Sequence, residues 1–167
     1  MPSQSVTDTI SVRADAQTLR PARVDRTIDG PQGKRTCAAT YESAKVTIDQ
    51  TTEKEHRTDT LDIPAKSYDT WADVYLWRTL PFAEDFEVKY QDVLSCSLAK
   101  PDLLSVVIKV AGSEQVTVPA GTYQAWKLEI NSGGDTQTAW YAADAPHLLL
   151  RYDNGQQLFE LKSTSSS

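Results

Sequence analysis

The chain has few of the residues that build metal and redox sites. Its 167 residues include two histidines and two cysteines, which is too few for a His- or Cys-rich metal centre. Walker loops, dinucleotide-binding glycine patterns and the G-x-S-x-G nucleophile motif are all missing. We therefore expect no metal, no cofactor and no enzymatic activity.

Long apolar runs are also missing. No segment approaches the roughly 20 apolar residues of a transmembrane helix, so we expect no transmembrane segment. Met1 is followed by polar residues rather than by the apolar stretch of an export signal. The protein is then either cytoplasmic or exported with a signal that is absent from this chain.

Basic residues are scarce in the second part of the chain. The formal net charge is -6, and residues 61–167 carry 8 Lys or Arg against 14 Asp or Glu, whereas residues 1–60 carry 9 of each kind. An acidic surface repels phosphate groups. We therefore expect neither nucleic acid nor an anionic membrane surface as a partner.

Turn residues recur at the spacing of antiparallel hairpins. Gly112, Gly121 and Gly133 follow one another at 9 and 12 residues, and segments of about 8 to 12 residues between turns are typical of sandwiches, barrels and meanders. The pattern predicts a mainly all-β fold, an antiparallel meander curled into an open or closed barrel-like sheet. The predicted strands are 9–14, 22–28, 34–41, 45–50, 87–90, 103–110, 115–118, 122–130, 136–142, 147–152 and 156–161.

Four turns join the predicted strands most clearly. Pro119-Ala120-Gly121 reverses the chain between two strands, because proline presets φ and glycine relieves the steric cost of the turn. Ala111-Gly112-Ser113 and residues 29–33 are predicted turns as well. Asn154-Gly155 predicts a closing hairpin.

One segment departs from the β pattern. Residues 67–80 lie between two prolines, and Trp71, Val74 and Tyr75 have helical spacing. We predict one short helix there, packed on the sheet. Residues 10–162 are expected to form a single β domain, with a lead-in at 1–9 and a disordered tail at 163–167.

Aromatic residues offer the clearest candidate binding site. Trp71, Trp77, Trp126 and Trp140 either belong to the core or line an apolar ligand pocket. His147 follows Pro146 at a strand start, where a surface or capping role is the ordinary interpretation. An unrecognised enzyme site around His147 and Asp144 is the rival hypothesis.

The two cysteines are too far apart in sequence for a C-x-x-C motif. From the residues alone, Cys37 and Cys96 are either a disulfide between strands or buried thiols. Both alternatives stay open at this point.

Several stretches together resemble one bacterial family, a domain of unknown function numbered thirty-one hundred and eight. They are "VTVPAGTYQAWKLEI", "TQTAWYAADAPHLLLRYDNG", "FELKS", "VRADAQTLRPARVDRTIDG" and "YLWRTLPF", and the resemblance covers residues 10–162. It implies an exported or lipid-anchored protein with a curled antiparallel sheet and no established activity. In that oxidising setting it favours a bond between Cys37 and Cys96.

These expectations combine into a functional hypothesis. The chain is predicted to be an extracytoplasmic binding domain, periplasmic or at the cell surface, for an apolar small molecule or lipid. The alternative is a structural or protein-interaction module of a larger bacterial envelope protein.

Overall fold

A computed structural model of the chain describes residues 5–164, so the lead-in and tail predictions for residues 1–4 and 165–167 lie outside the described residues. The described part contains twelve strands and one helix. In chain order they are β1 (Thr7–Ala14), β2 (Pro21–Gly30), β3 (Gly33–Tyr41), β4 (Lys45–Thr51), β5 (His56–Asp62), β6 (Ser67–Asp69), α1 (Asp73–Trp77), β7 (Glu87–Leu94), β8 (Asp102–Val118), β9 (Gly121–Ser132), β10 (Asp135–Ala142), β11 (Leu149–Asp153) and β12 (Leu158–Glu160).

The strands form two sheets. One has the order β1-β2-β3-β4-β5 and the other the order β12-β11-β10-β9-β8-β7-β6. Strand pairing is mostly antiparallel, β6 and β7 pair in parallel, and one sheet curls into a half-barrel. The predicted fold class is confirmed. Within residues 5–164, α1 is too short to cross a bilayer.

The Pro119-Ala120 corner is a turn, as predicted. β8 ends at Val118 and β9 begins at Gly121, and these two residues are paired. Gly121 has a φ of 141°, a backbone conformation that residues with a Cβ rarely adopt. The Tyr123 hydroxyl donates to the Ala120 carbonyl at 3.2 Å and holds the corner. The predicted Asn154-Gly155 hairpin is also present, as the loop between β11 and β12.

The predicted turn at Ala111-Gly112-Ser113 is wrong. β8 continues through it as one strand of 17 residues, and its pairing with β9 shifts register between Val110 and Gly112. Gly112 has a φ of 122°, so its positive φ serves a β-bulge rather than a chain reversal. β8 therefore stays paired with β9, but after the bulge its even-numbered side chains lie on the other face of the sheet.

The predicted helix over 67–80 is also wrong in its bounds. Residues Ser67–Asp69 form a short strand beside β7, and the helix covers only Asp73–Trp77. The Asp69 carboxylate accepts a hydrogen bond from the Trp71 backbone N–H at 2.9 Å, which forms a turn before the helix. Tyr75 is 66% exposed whereas Trp77 is 2% exposed, so Trp77 and not Tyr75 lies on the buried face of the helix.

The described chain divides into two compact units, here called the first unit (residues 5–73 and 91–104) and the second unit (residues 74–90 and 105–164). The first unit has one core. Its buried side chains come from β2, β3, β4, the residue after β5 and the segment 93–96, and are Val24, Cys37, Ala39, Val46, Ile48, Ile63, Val93 and Cys96.

The second unit has two clusters of buried side chains. One contains Trp77, Ile108, Leu128 and Tyr141, and the other contains Val116, Ala125 and Leu150 with their neighbours. Because side chains alternate along a strand, even-numbered Leu128 and odd-numbered Ala125 of β9 lie on opposite faces of the sheet. The β8 bulge lets that strand contribute to both clusters.

Candidate functional site

A large cleft lies in the first unit, at one end of the five-stranded sheet. Its volume is about 750 Å³, within the range of about 300 to 1,000 Å³ that is usual for small-molecule sites. Two hairpin tips form its rim, residues 30–35 between β2 and β3 and residues 52–54 between β4 and β5. Val6, Ile28 and Leu98 supply its apolar lining.

Strand register places the cleft at the open end of the sheet's inner face. Val24 and Ala39 are partners in the core, Arg26 pairs with Cys37 one layer further on, and Ile28 pairs with Arg35 at the cleft. Side chains two residues apart on a strand share a face. The buried core therefore continues outward into the cleft.

Arg26 occupies the layer between the core and the cleft. Its guanidinium donates to the Asp8 carboxylate at 2.6 Å and to the Cys96 carbonyl at 2.8 Å. Its charge also lies 4.5 Å from the centre of the Trp71 ring. These contacts hold the Arg26 side chain in place, so a fixed polar group lies beneath the apolar lining of the cleft.

The disulfide fixes the loop that carries Leu98. Cys37 of β3 and Cys96 are bonded, with sulfur atoms 2.04 Å apart and a sequence separation of 59 residues. Of the two alternatives left open by the residues, the structure has the bond, and neither cysteine is free. Leu98 follows Cys96 by two residues and lines a small cavity with Ile28 and Arg35.

The apolar side chains of the cleft are unusually exposed. Leu98 is 69% exposed and Val6 is 62% exposed. The Val6 side chain lies against Gly30, where a Cβ would come within 3.1 Å of its Cγ2 atom. Because Gly30 has no side chain, Val6 can pack against its backbone at the cleft.

The charged side chains of the cleft are mostly cationic. Lys34, Arg35 and Lys54 line it together with a single carboxylate, Glu53. Within residues 5–164 these three cationic side chains have no hydrogen bond or ion pair. The Glu53 carboxylate lies against Gly33, at 2.8 Å from the position a Cβ would take there.

A second feature of the first unit is a group of buried carboxyl groups. Asp69 and Asp92 are 0% exposed and Asp73 is 5% exposed. The Tyr41 hydroxyl donates to Asp69, and the Thr70 hydroxyl donates to Asp92 at 2.6 Å. Within residues 5–164, no group of three or more His, Cys, Asp or Glu side chains is arranged to hold a metal ion.

Burial shifts the pKa values of two of these aspartates, Asp69 and Asp92. It raises the pKa of Asp69, and it raises the pKa of Asp92 to about 7 against the hydrogen bond from Thr70. An unfolded aspartate loses its proton near pH 3.8. The proton on Asp92 therefore stabilises the folded state fully below pH 3.8, and this stabilisation is lost as the pH rises through about 7.

Tyr41 also lines a cleft of about 490 Å³ in front of these carboxyl groups, together with Ser67 and Arg20. Burial, reinforced by the negative charge of Asp69, raises the pKa of the Tyr41 phenol. A phenol with a raised pKa stays protonated and can donate a hydrogen bond, but it is a poor nucleophile. Tyr41 therefore acts here as the hydrogen-bond donor to the buried Asp69.

The structure does not gather the four tryptophans into one site. Trp71 packs on the core of the first unit. Trp77 donates to the Tyr90 hydroxyl at 2.8 Å within one cluster of the second unit, where Trp126 also packs. Trp140 belongs to the other cluster of that unit and donates to Glu114 at 2.6 Å. Their role in ligand binding stays a prediction, and none of them lines the 750 Å³ cleft.

His147 lies in a turn of the second unit. Its Nδ1 atom donates to the Ala142 carbonyl at 2.9 Å, since a carbonyl can only accept. Its ring lies 4.7 Å from the ring of Phe82, and its backbone N–H donates to the Asp144 carbonyl at 2.9 Å. The contact between His147 and Asp144 is thus a backbone turn contact.

Sequence reasoning missed the residues that line the cleft. Residues 53 and 54, whose charged side chains are ordinary for an exposed hairpin tip, lie at such a tip and also form part of the rim of the cleft. The available signal was an apolar Leu98 in a polar loop, two residues after a cysteine.

Comparison with known proteins adds one finding. The family model described as "Protein of unknown function (DUF3108)" matches residues 3–158. No curated protein and no solved structure matches the chain significantly.

Proposed function

We propose a function from the premise that the chain belongs to the DUF3108 family, whose description assigns no activity. The proposed function is that of a non-enzymatic binding domain for an apolar or amphiphilic small molecule, acting outside the cytoplasm. The ligand occupies the 750 Å³ cleft of the first unit.

One observation carries the proposal. Leu98 and Val6, at 69% and 62% exposed, are both directed to one concave surface together with Ile28. Isolated exposed apolar residues are ordinary, but apolar residues that share a concave surface mark ligand sites. Covering a leucine side chain of this kind contributes about 1.5 to 3 kcal/mol.

The disulfide supports the proposed location. Structural disulfides form and persist in oxidising compartments such as the periplasm or the cell surface. Cys37 and Cys96 form such a bond between a central strand and the loop of the cleft. A thiol titration of denatured protein isolated from its natural host tests this point, and two free thiols would argue against it.

The binding test uses a fluorescent apolar probe and two matched variants. Leu98→Ser removes an apolar side chain from the cleft, and Leu158→Ser removes one of similar exposure, 57%, from the second unit. We expect probe binding to weaken about tenfold in the first variant and to stay unchanged in the second. Equal effects in both variants would contradict the proposed site.

The natural ligand is sought by native mass spectrometry of protein from its natural host, followed by organic extraction. A stoichiometric apolar molecule that is lost in Leu98→Ser supports the proposal. A clean apo mass together with no probe binding would contradict it.

The second candidate function is that of a protein-interaction module. Leu158 and Phe159, at 57% and 49% exposed, lie on the short edge strand β12. Exposed edge strands with apolar side chains can pair with another chain. Cross-linking in the host should capture a partner that is lost in the double variant Leu158→Ser/Phe159→Ser.

A further inference from the structure

We infer that the ligand of this cleft is a single-chain anionic amphiphile, such as a long-chain carboxylate. This inference rests on the proposed function and specifies it. Arg35 binds the anionic group, Lys34 and Lys54 add positive charge at the hairpin tips, and Val6, Ile28 and Leu98 contact the hydrocarbon chain.

The charge of the cleft opposes the charge of the protein. The chain carries a net charge of -6, yet three cationic side chains and one anionic side chain line the cleft. In the described chain Arg23, Arg26, Arg57 and Arg151 pair with carboxylates, whereas Lys34, Arg35 and Lys54 do not. Their positive charge is available to a ligand.

The positions of the apolar and cationic groups match the two ends of an amphiphile. Ile28 and Arg35 are cross-strand partners, so their side chains lie side by side on one face of the sheet. Leu98 lines a small cavity with both of them. A ligand whose chain lies on Ile28 and Leu98 therefore has its end group within reach of the Arg35 guanidinium, which suits a carboxylate.

A buried donor lies beneath this point. The Gln50 amide nitrogen is buried without a hydrogen-bond partner in the described chain, and Gln50 lines the small cavity under Arg35 and Leu98. Buried donors are normally satisfied. A ligand oxygen that reaches this point would accept from the Gln50 amide nitrogen as well as from Arg35.

The occupant is a dissolved amphiphile rather than a membrane surface. The net charge of -6 opposes approach to an anionic bilayer, and the apolar lining is limited to Val6, Ile28, Pro31 and Leu98 inside a concave cleft. This narrow lining fits one hydrocarbon chain.

The test compares three amphiphiles with the same dodecyl chain by isothermal titration calorimetry below their micelle concentrations. They are dodecanoate, the neutral tetraethylene glycol monododecyl ether and the cationic dodecyltrimethylammonium. We expect dodecanoate to bind about tenfold more tightly than the neutral ether, and the cation to bind most weakly. Added salt should reduce the preference for dodecanoate.

Variants separate the two parts of the site. The triple variant Lys34→Gln/Arg35→Gln/Lys54→Gln should lose about tenfold in dodecanoate affinity and keep its affinity for the neutral ether. Lys66→Gln, a matched change of an exposed lysine outside the cleft, should alter neither. If the triple variant does not fold, Lys34→Gln and Lys54→Gln at exposed positions serve separately.

Each outcome has a distinct meaning. The three amphiphiles could bind equally, with affinities that the triple variant leaves unchanged and Leu98→Ser weakens. This result would overturn the inference that the ligand is anionic and leave the proposed function standing. Failure of all three to bind, together with an apolar probe that ignores Leu98→Ser, would overturn both.

Discussion

Removal of the disulfide should destabilise the first unit by several kcal/mol. The bond closes a loop with 59 residues of sequence separation. In the chain-entropy treatment, a loop of this length lowers the entropy of the unfolded chain by about 14 cal/mol/K, which corresponds to about 4 kcal/mol near 25 °C. Replacing both cysteines by alanine should reduce the free energy of unfolding by about this amount.

The measurement is guanidinium denaturation of the wild type and of the double variant Cys37→Ala/Cys96→Ala, each with and without a reducing agent. Reduction should lower the midpoint of the wild type and leave that of the double variant unchanged. Buried alanines leave small cavities, because Cys37 and Cys96 are 7% and 2% exposed, so the reduced wild type is the cleaner comparison. A loss of less than about 1 kcal/mol on reduction would refute the loop-closure reasoning.

Three further predictions concern single residues. The unfolding free energy of the wild type should fall as the pH rises from 3.8 to about 7, and Asp92→Asn, which cannot ionise, should reduce this fall. The same pH dependence in variant and wild type would contradict the raised pKa of Asp92. Gly121→Val forces a branched side chain to a φ of 141° and should cost about 1 to 3 kcal/mol in thermal or chemical denaturation, with dodecanoate affinity unchanged. His147→Ala should lose about 1 kcal/mol with its hydrogen bond to Ala142 and show no change in a hydrolase screen, whereas lost turnover would favour the enzyme hypothesis.

Much of the fold could be predicted from local patterns. Alternating side chains and the turn at Pro119-Ala120 are properties of neighbouring residues, so the sequence predicts them directly. Gly112 was misleading because a glycine with positive φ serves a bulge as well as a turn, and only the pairing partner distinguishes the two. The predicted bounds of the helix were wrong for a related reason, since pairing with β7 keeps Ser67–Asp69 extended.

The cleft could not be predicted in the same way. Its residues come from positions as distant as Val6, Arg35, Lys54 and Leu98, and they meet only through strand register and the disulfide. A tryptophan is conspicuous in a sequence, whereas three lysine and arginine residues without partners are not. Whether a cation lacks a partner becomes visible only when its surroundings are known.

The interleaving of the two units bears on how the protein folds during synthesis. The chain leaves the first unit after residue 73, returns at residue 91 and leaves it again after residue 104. A nascent chain that has reached residue 90 already contains all five strands β1–β5, but it still lacks Val93, Cys96 and Leu103 of their core. Until those residues emerge from the ribosome, Cys37 has no thiol to pair with, and an exposed sheet face awaits its cover. A fragment that ends at residue 90 should therefore fail to form the first unit, although it contains all five strands of the sheet.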